Sequence, residues 1–398
     1  MLPSSRTISP HSQVEDLMTE TLASIRNLLG MEVAFISEFS EGRRVFRFID
    51  SQQGFRPIEV DGSDPLSESY CQRVVDGRLP ELLQDATKNP EAMTLAATMA
   101  VPIGAHLSVP IRFSSGRLFG TFCCFSRTPD MTLGARDLKT MKLFASFVGN
   151  VLEEREAEED KKRAIRRGVQ KVLDERLFST LFQPIVDISS MRTIGFEALT
   201  RFSSAPNRSP NEWIADATSV GLQETLELAL LKSALQQLKD LPPDVYLSLN
   251  VAPNTLLKGS IPELFSGYPL QRLVLEITEQ DSISDYEKIE AELAPLRARG
   301  MRLAVDDAGA GYASFRHILK LKPDIIKLDY SLIKGIDTDL ASKTLATAIV
   351  SFGKSTGSEI LAEGVETEAE LDTLRGLGIE RVQGFLLGRP ELIGRGEV

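Results

Sequence analysis

Histidine is scarce in this 398-residue chain: His11, His106 and His317 are its only three, too few and too scattered to build a zinc or iron centre from imidazoles. Cysteine is no better represented. Cys71, Cys123 and Cys124 show no metal-ligand spacing and leave an odd thiol in any disulfide scheme, and the adjacent pair would face opposite sides of a strand. All three read as small buried hydrophobes. Positive charge is also in deficit, with 45 Lys and Arg against 56 Asp and Glu and a net charge of −11. That balance argues against a DNA or RNA partner, because polyanion affinity rests on Lys and Arg neutralising phosphates. No apolar run approaches the roughly 18 residues of a membrane helix, and the opening Met1-Leu2-Pro3-Ser4-Ser5-Arg6 has no hydrophobic signal core. A cytoplasmic protein with no membrane partner is the expectation.

What is present is ample material for a core, with 42% hydrophobic and 25% charged residues in a chain long enough for two or three domains. Residues 14–29 place Val14, Leu17, Met18, Leu22, Ile25, Leu28 and Leu29 at helical spacing, and Gly30 ends the run. Strand-like pieces follow at 32–38, 44–49, 107–113 and 117–126, joined by polar turns such as Ser40-Glu41-Gly42. This is an α+β pattern on one antiparallel sheet with helices. Residues 135–177 then form one long helical pattern whose middle is nearly all charged. It continues the last helix of the first domain as a linker. A solvated face is one reading of it; heptad-like pairing with its twin in a homodimer is the other, with Val148 and Val151 in the seam.

Eight strand-like runs succeed the linker, at 181–186, 193–199, 245–251, 272–278, 302–306, 325–329, 359–363 and 381–385, most of them separated by amphipathic helical stretches. Strands alternating with helices over about 220 residues predict a TIM-like (β/α)8 barrel. Polar residues stand near the strand ends: Glu197, Asn250, Glu276, Asp306 and Asp307, Lys327 and Asp329, Glu363, and Gln383. Asp306-Asp307-Ala308-Gly309 taken alone also suits a helix cap. In a barrel, however, all these ends converge on one mouth, where clustered acids repel unless cations are present. The cluster argues for two oxygen-ligated divalent metals, Mg²⁺ or Mn²⁺.

The first domain, 14–152, resembles the GAF sensory module at Ser69-Tyr70-Cys71-Gln72-Arg73-Val74-Val75, Ser108-Val109-Pro110-Ile111 and Gly120-Thr121-Phe122-Cys123-Cys124-Phe125. The resemblance leaves its ligand open. Bilin-binding members anchor their chromophore on Cys followed by His, whereas Gln72 follows Cys71.

The second domain, 177–391, resembles the EAL family of cyclic di-GMP phosphodiesterases. The motifs are Glu197-Ala198-Leu199-Thr200-Arg201, Gln183-Pro184-Ile185-Val186, Leu249-Asn250, Glu276-Ile277-Thr278-Glu279, Asp306-Asp307, Lys327-Leu328-Asp329, Ala362-Glu363-Gly364-Val365-Glu366 and Gln383-Gly384-Phe385. The resemblance implies hydrolysis of cyclic di-GMP to linear pGpG. It implies one metal on Glu197, Asn250, Glu276 and Asp306, and a second on Asp306, Asp307 and Glu363, with a shared water as nucleophile. Lys327, beside two cations, is expected to have a lowered pKa and to serve the water or the phosphate. Arg201 suits a phosphate contact, Gln183, Gln383 and Asp329 match positions near the nucleotide, and Glu279 and Glu366 match supporting acids. One departure stands out. Where the family commonly has Phe-Gly-Thr-Gly, this chain has Ala308-Gly309-Ala310-Gly311. The loop supports the second metal and lies near the family's dimer contact, so the level of activity and its coupling to the sensor are open. The rival reading is a catalytically weak or inactive cyclic di-GMP-binding module that signals through a partner protein.

Overall fold

The computed structural model describes residues 10–277, 283–308 and 313–393. The chain divides into two compact units, up to Lys161 and from Lys162 onward.

In the first unit six strands pair antiparallel: β1 (Val33–Ser40), β2 (Arg43–Ser51), β3 (Ser63–Pro65), β4 (Leu82–Leu83), β5 (Ala105–Arg112) and β6 (Leu118–Ser126), in the order β3-β2-β1-β6-β5-β4. The β1–β2 hairpin turns through Glu41 and Gly42, both at positive φ, a geometry that suits the strand twist and favours glycine. Both faces of the sheet are covered, and so β6 is buried along most of its length. One face takes Met18, Leu22 and Ile25 from the helix Pro10–Leu28 together with Met141, Ala145, Val148 and Leu152 from the helix Ala135–Asp174. Cys124 lies on that face. Cys123 lies on the other, with Phe35, Phe46, Tyr70, Cys71 and Phe125.

Val148 is fully buried in the sheet core, which takes it out of any seam between subunits, and Val151 is half-buried against the same core. An apolar helix stripe does not reveal whether its partner is a sheet or a second helix. The outward apolar residues are Leu143 and Phe147.

The second unit is a closed barrel in the order β10-β11-β12-β13-β14-β7-β8-β9. Its strands are β7 (Phe178–Asp187), β8 (Arg192–Phe202), β9 (Tyr246–Asn250), β10 (Leu273–Ile277), β11 (Arg302–Ala308), β12 (Ile325–Leu328), β13 (Glu359–Ala362) and β14 (Arg381–Val382). All neighbours are parallel except that β7 runs antiparallel to both β8 and β14. The sequence places helical stretches between most of the strands, and this connection is one of those without a helix. Residues 188–191 are a tight link, and a parallel crossover needs a dozen residues or more. Reversal brings β7 in from the mouth of the barrel, since its first residue, Phe178, pairs with the last of β8, Phe202. Among the described residues no helix is long and apolar enough to cross a membrane.

Candidate active site

Side-chain alternation builds the site. Inside the barrel Ile185, Tyr246, Val274, Ala304, Ile325 and Leu361 form one apolar layer. Two residues further along each parallel strand stand Ser248, Glu276, Asp306, Lys327 and Glu363, so a polar layer rests directly on the apolar plug. On β8 the residue two before Glu197 is Gly195, where an added Cβ would meet the Tyr246 ring at 2.5 Å. On the reversed β7 the order inverts: Gln183 precedes Ile185 and pairs with Glu197. Gln383 follows β14, and Gly384 after it has no room for a Cβ, which would lie 2.1 Å from the Val365 carbonyl oxygen.

Lys327 is fully buried at the centre of the polar layer. Its ammonium lies 2.5 Å from Glu363 Oε1, 2.7 Å from Glu276 Oε2, 3.2 Å from Asp306 Oδ1 and 3.7 Å from Glu197 Oε1. Ser248 donates to the other oxygen of Glu276. Asn250 Nδ2 donates to Glu197 Oε1 at 3.1 Å and Gln383 Nε2 to Glu197 Oε2 at 2.6 Å. Gln383 Nε2 also reaches Gln183 Oε1 at 3.1 Å, and Gln183 Nε2 donates to the Gly388 carbonyl at 3.2 Å. The orientations of Glu197 and Glu276 are thus fixed by named donors.

One positive charge does not balance four carboxylates. Burial, only partly offset by Lys327, and the charges of Glu197 and Asp306 push Glu276 up to about 8. Burial and Asp306 push Glu363 well above the usual carboxylate range. Burial opposes the charge on Lys327, but Asp306, Glu197, Glu276 and Glu363 outweigh it and hold the lysine well above its ordinary pKa. That direction belongs to the protein's own groups, whereas the lowered lysine pKa expected from the sequence concerns a lysine beside two bound cations, which repel its charge.

Hard divalent cations fit this donor set. Asp306, Asp307 and Glu363 each offer an oxygen within 4.8 Å of the others. Glu363 Oε1 is buried and, despite its short ion pair with Lys327, makes no hydrogen bond. Asp307 takes a left-handed backbone with φ 57°, uncommon for a residue with a Cβ and costing on the order of 1 kcal/mol. Its N–H donates to Asp306 Oδ1 at 2.9 Å, which fixes the two acids relative to each other.

Other sequence candidates lie further out. Arg201 is exposed, donates to the Thr200 carbonyl at 2.8 Å, and lines a cavity of about 620 Å³ with Glu197, Asn250, Asp306 and Asp307. The Asp329 carboxylate caps the short helix Tyr330–Ile333 by accepting from the Ser331 N–H at 2.9 Å. Glu366 is exposed, and its N–H is held by Glu370 Oε2 at 2.9 Å. Glu279 and the segment Gly309-Ala310-Gly311 lie outside the described residues.

Three supporting residues escaped the sequence reading. Ser248 was legible, two places before Asn250 on the same face of a strand. Glu370 also accepts from Gly335 N and Thr367 N, tying together the loops after β12 and β13; its signal is the capping box with Thr367. Glu227, a buried helix acid accepting from Ala252 N at 3.2 Å, has no distinguishing signal.

A model of the EAL domain matches residues 164–390, and a model of the GAF domain matches 13–152. The probable cyclic di-GMP phosphodiesterase PdeD of Escherichia coli (strain K12) is 32% identical over 234 residues, 56% of this chain and 43% of that protein, so the chain spans less than half of that relative. Among solved structures, a PaMucR phosphodiesterase in complex with c-di-GMP is 28% identical over 57% of this chain and 97% of its own, with a TM-score of 0.52. The EAL enzyme Bd1971, bound to cAMP and cyclic di-GMP, covers 92% of both chains at 17% identity and a TM-score of 0.57, a likeness of fold alone. With more than half of its length matched, and a barrel whose polar layer carries the motif residues, the chain belongs to the EAL domain family and bears a GAF domain at its N-terminal side.

Proposed function

We propose that the barrel hydrolyses cyclic di-GMP to linear pGpG with two divalent cations, Mg²⁺ or Mn²⁺, and that the GAF domain regulates it within a homodimer. The observation that carries this reading is the ring of Glu197, Glu276, Asp306 and Glu363 around Lys327, with Asp307 beside it. The name of PdeD and the ligand of the PaMucR complex support it.

Glu197, Asn250, Glu276 and Asp306 would hold one cation, and Asp306, Asp307 and Glu363 the other. When bound, such cations supply Lewis acidity to the phosphodiester and acidify water. Lys327 keeps a fixed positive charge at the floor of the site, where negative charge grows in the transition state. Arg201 stands at the lip of the cavity, suited to a bidentate contact with phosphate. Gln383, itself held by Gln183, keeps Glu197 in one orientation, which keeps that acid preorganised.

The test is turnover of cyclic di-GMP by the full chain with Mg²⁺ and with Mn²⁺. Formation of pGpG that vanishes in Glu197→Ala is expected. Tight binding without turnover would instead establish the binding-module reading.

A further inference from the structure

The face of the GAF sheet that carries Cys123 is not uniformly apolar. Cys123 Sγ lies 3.4 Å from Cys71 Sγ, which approaches from the helix Tyr70–Val75, and both residues are fully buried. The Ser108 hydroxyl lies 3.0 Å and the Thr121 hydroxyl 3.2 Å from Cys123 Sγ. Ser37 Oγ lies 3.0 Å from Thr121 Oγ1 and 3.9 Å from Cys71 Sγ. A guanidinium completes the cluster. Arg44 is 7% exposed; its Nε and one terminal nitrogen engage Asp64, and the other, NH1, stands 3.1 Å from Cys71 Sγ. A buried cation aimed at a sulfur is costly beside a neutral hydrophobe and favourable beside a thiolate. Cys124 is the internal contrast, since it faces the other side and touches Met141 Sδ at 3.8 Å.

We propose that Cys71 and Cys123 form a redox-active dithiol inside the GAF domain, which hydroperoxides oxidise to a disulfide. The reading of these two residues as plain hydrophobes is thereby replaced, whereas Cys124 keeps it. Hydrogen bonding from Cys123 and the charge of Arg44 overcome the burial that would otherwise raise Cys71, and bring its thiol down to about 5. Burial and the negative neighbour push Cys123 well up, so the pair splits into a nucleophile and a protonated partner. Burial pushes Cys124 up as well.

Cys71 thiolate attacks one oxygen of hydrogen peroxide; an S–O bond forms, the O–O bond breaks, and the departing hydroxide takes a proton to become water. The Cys123 thiol then gives up its proton, and its sulfur displaces hydroxide from the Cys71 sulfenic acid, closing the S–S bond and releasing a second water. Two thiols lose two electrons and one peroxide gains them. The sulfurs must close from 3.4 Å to a bond of about 2.05 Å, a shift taken up by the helix Tyr70–Val75 against β6. The proposal does not depend on the barrel's reaction.

The test is peptide mapping of the reduced full-length chain after graded hydrogen peroxide at pH 7. The expected product is a Cys71–Cys123 cross-link, reversed by dithiothreitol and formed at least about tenfold faster than any oxidation of Cys124. In Cys123→Ser, a dimedone adduct should accumulate on Cys71, and Arg44→Met should slow it. All three thiols oxidising at one rate, or Cys71 and Cys123 remaining thiols while Cys124 oxidises, would overturn the proposal. The wild-type map decides this even if a variant fails to fold.

Discussion

Lys327 Nζ and Glu276 Oε2 meet at 2.7 Å, with both side chains about 1% exposed, inside the barrel where Glu197, Asp306 and Glu363 also approach the lysine. The pair joins strands β10 and β12, which are not neighbours, across the interior. Removing one member of a buried pair leaves the other uncompensated, typically at about 3–5 kcal/mol. Lys327→Ala is therefore expected to destabilise the cation-free chain by several kcal/mol, with stability restored by Mg²⁺. It should also lower kcat by roughly 10²-fold or more with little change in binding. Denaturant unfolding with and without Mg²⁺, set beside kcat and KM, separates the two effects. A variant changed only in KM would assign Lys327 to substrate binding.

Glu197 accepts from both Asn250 and Gln383, so Glu197→Ala removes a cation ligand and also leaves one N–H of the buried Gln383 amide without its partner, the bond to Gln183 remaining. Turnover should fall to background. Stability should fall by only about 1–3 kcal/mol, the usual cost of one unsatisfied buried group. Near wild-type kcat at saturating metal would remove Glu197 from the proposed cation set.

The barrel and its acidic mouth were legible because strand periodicity and strand-end chemistry are local in sequence. Glu197, Glu276, Asp306 and Glu363 each carry their own signal. Their meeting point was not legible in the same way. That Lys327 touches all four, and that Asp307 turns left-handed, depends on closure of the barrel. The reversed β7 was in fact written in its short link to β8. The clustering of Cys71, Cys123 and Arg44 could not be read, because these residues come from a helix and two separate strands, and no spacing rule relates them.

Pairing of the long helices across a homodimer now has to be tested elsewhere on the helix. Leu143 and Phe147 are 66% and 45% exposed and four residues apart, hence on one face. Replacing both by Glu should convert a dimer to a monomer in sedimentation without loss of the GAF core. Val148→Asp is expected to fail differently, by burying a charge in that core and unfolding the domain. A wild-type chain that sediments as a fully active monomer would reduce the helix to a spacer.

His106 gives the GAF domain an acid limit that can be calculated in sign. It is 1% exposed on β5, its ring lies 4.5 Å from that of Tyr70, and its Nδ1 has no partner. Burial, aided by the nearby positive charge of Arg44, depresses it to about 3. In the unfolded chain it titrates near the ordinary value of about 6.5. Above that pH neither state protonates it and the folded domain bears no penalty. Between about 6.5 and 3 the unfolded chain binds a proton that the folded domain refuses, so stability falls as the pH falls, by up to about 1.4 kcal/mol per pH unit. His106→Phe keeps the ring against Tyr70 and removes both the titration and the orphaned nitrogen. The variant should match or exceed the wild type at pH 7.5 and lose markedly less stability between pH 7 and 5. The single tryptophan, Trp213, lies in the barrel unit, so its fluorescence does not follow the GAF domain. Hydrogen exchange of the β1 and β5 amides in the full chain does. Equal losses in both proteins across that interval would show that His106 is not the group that sets the limit.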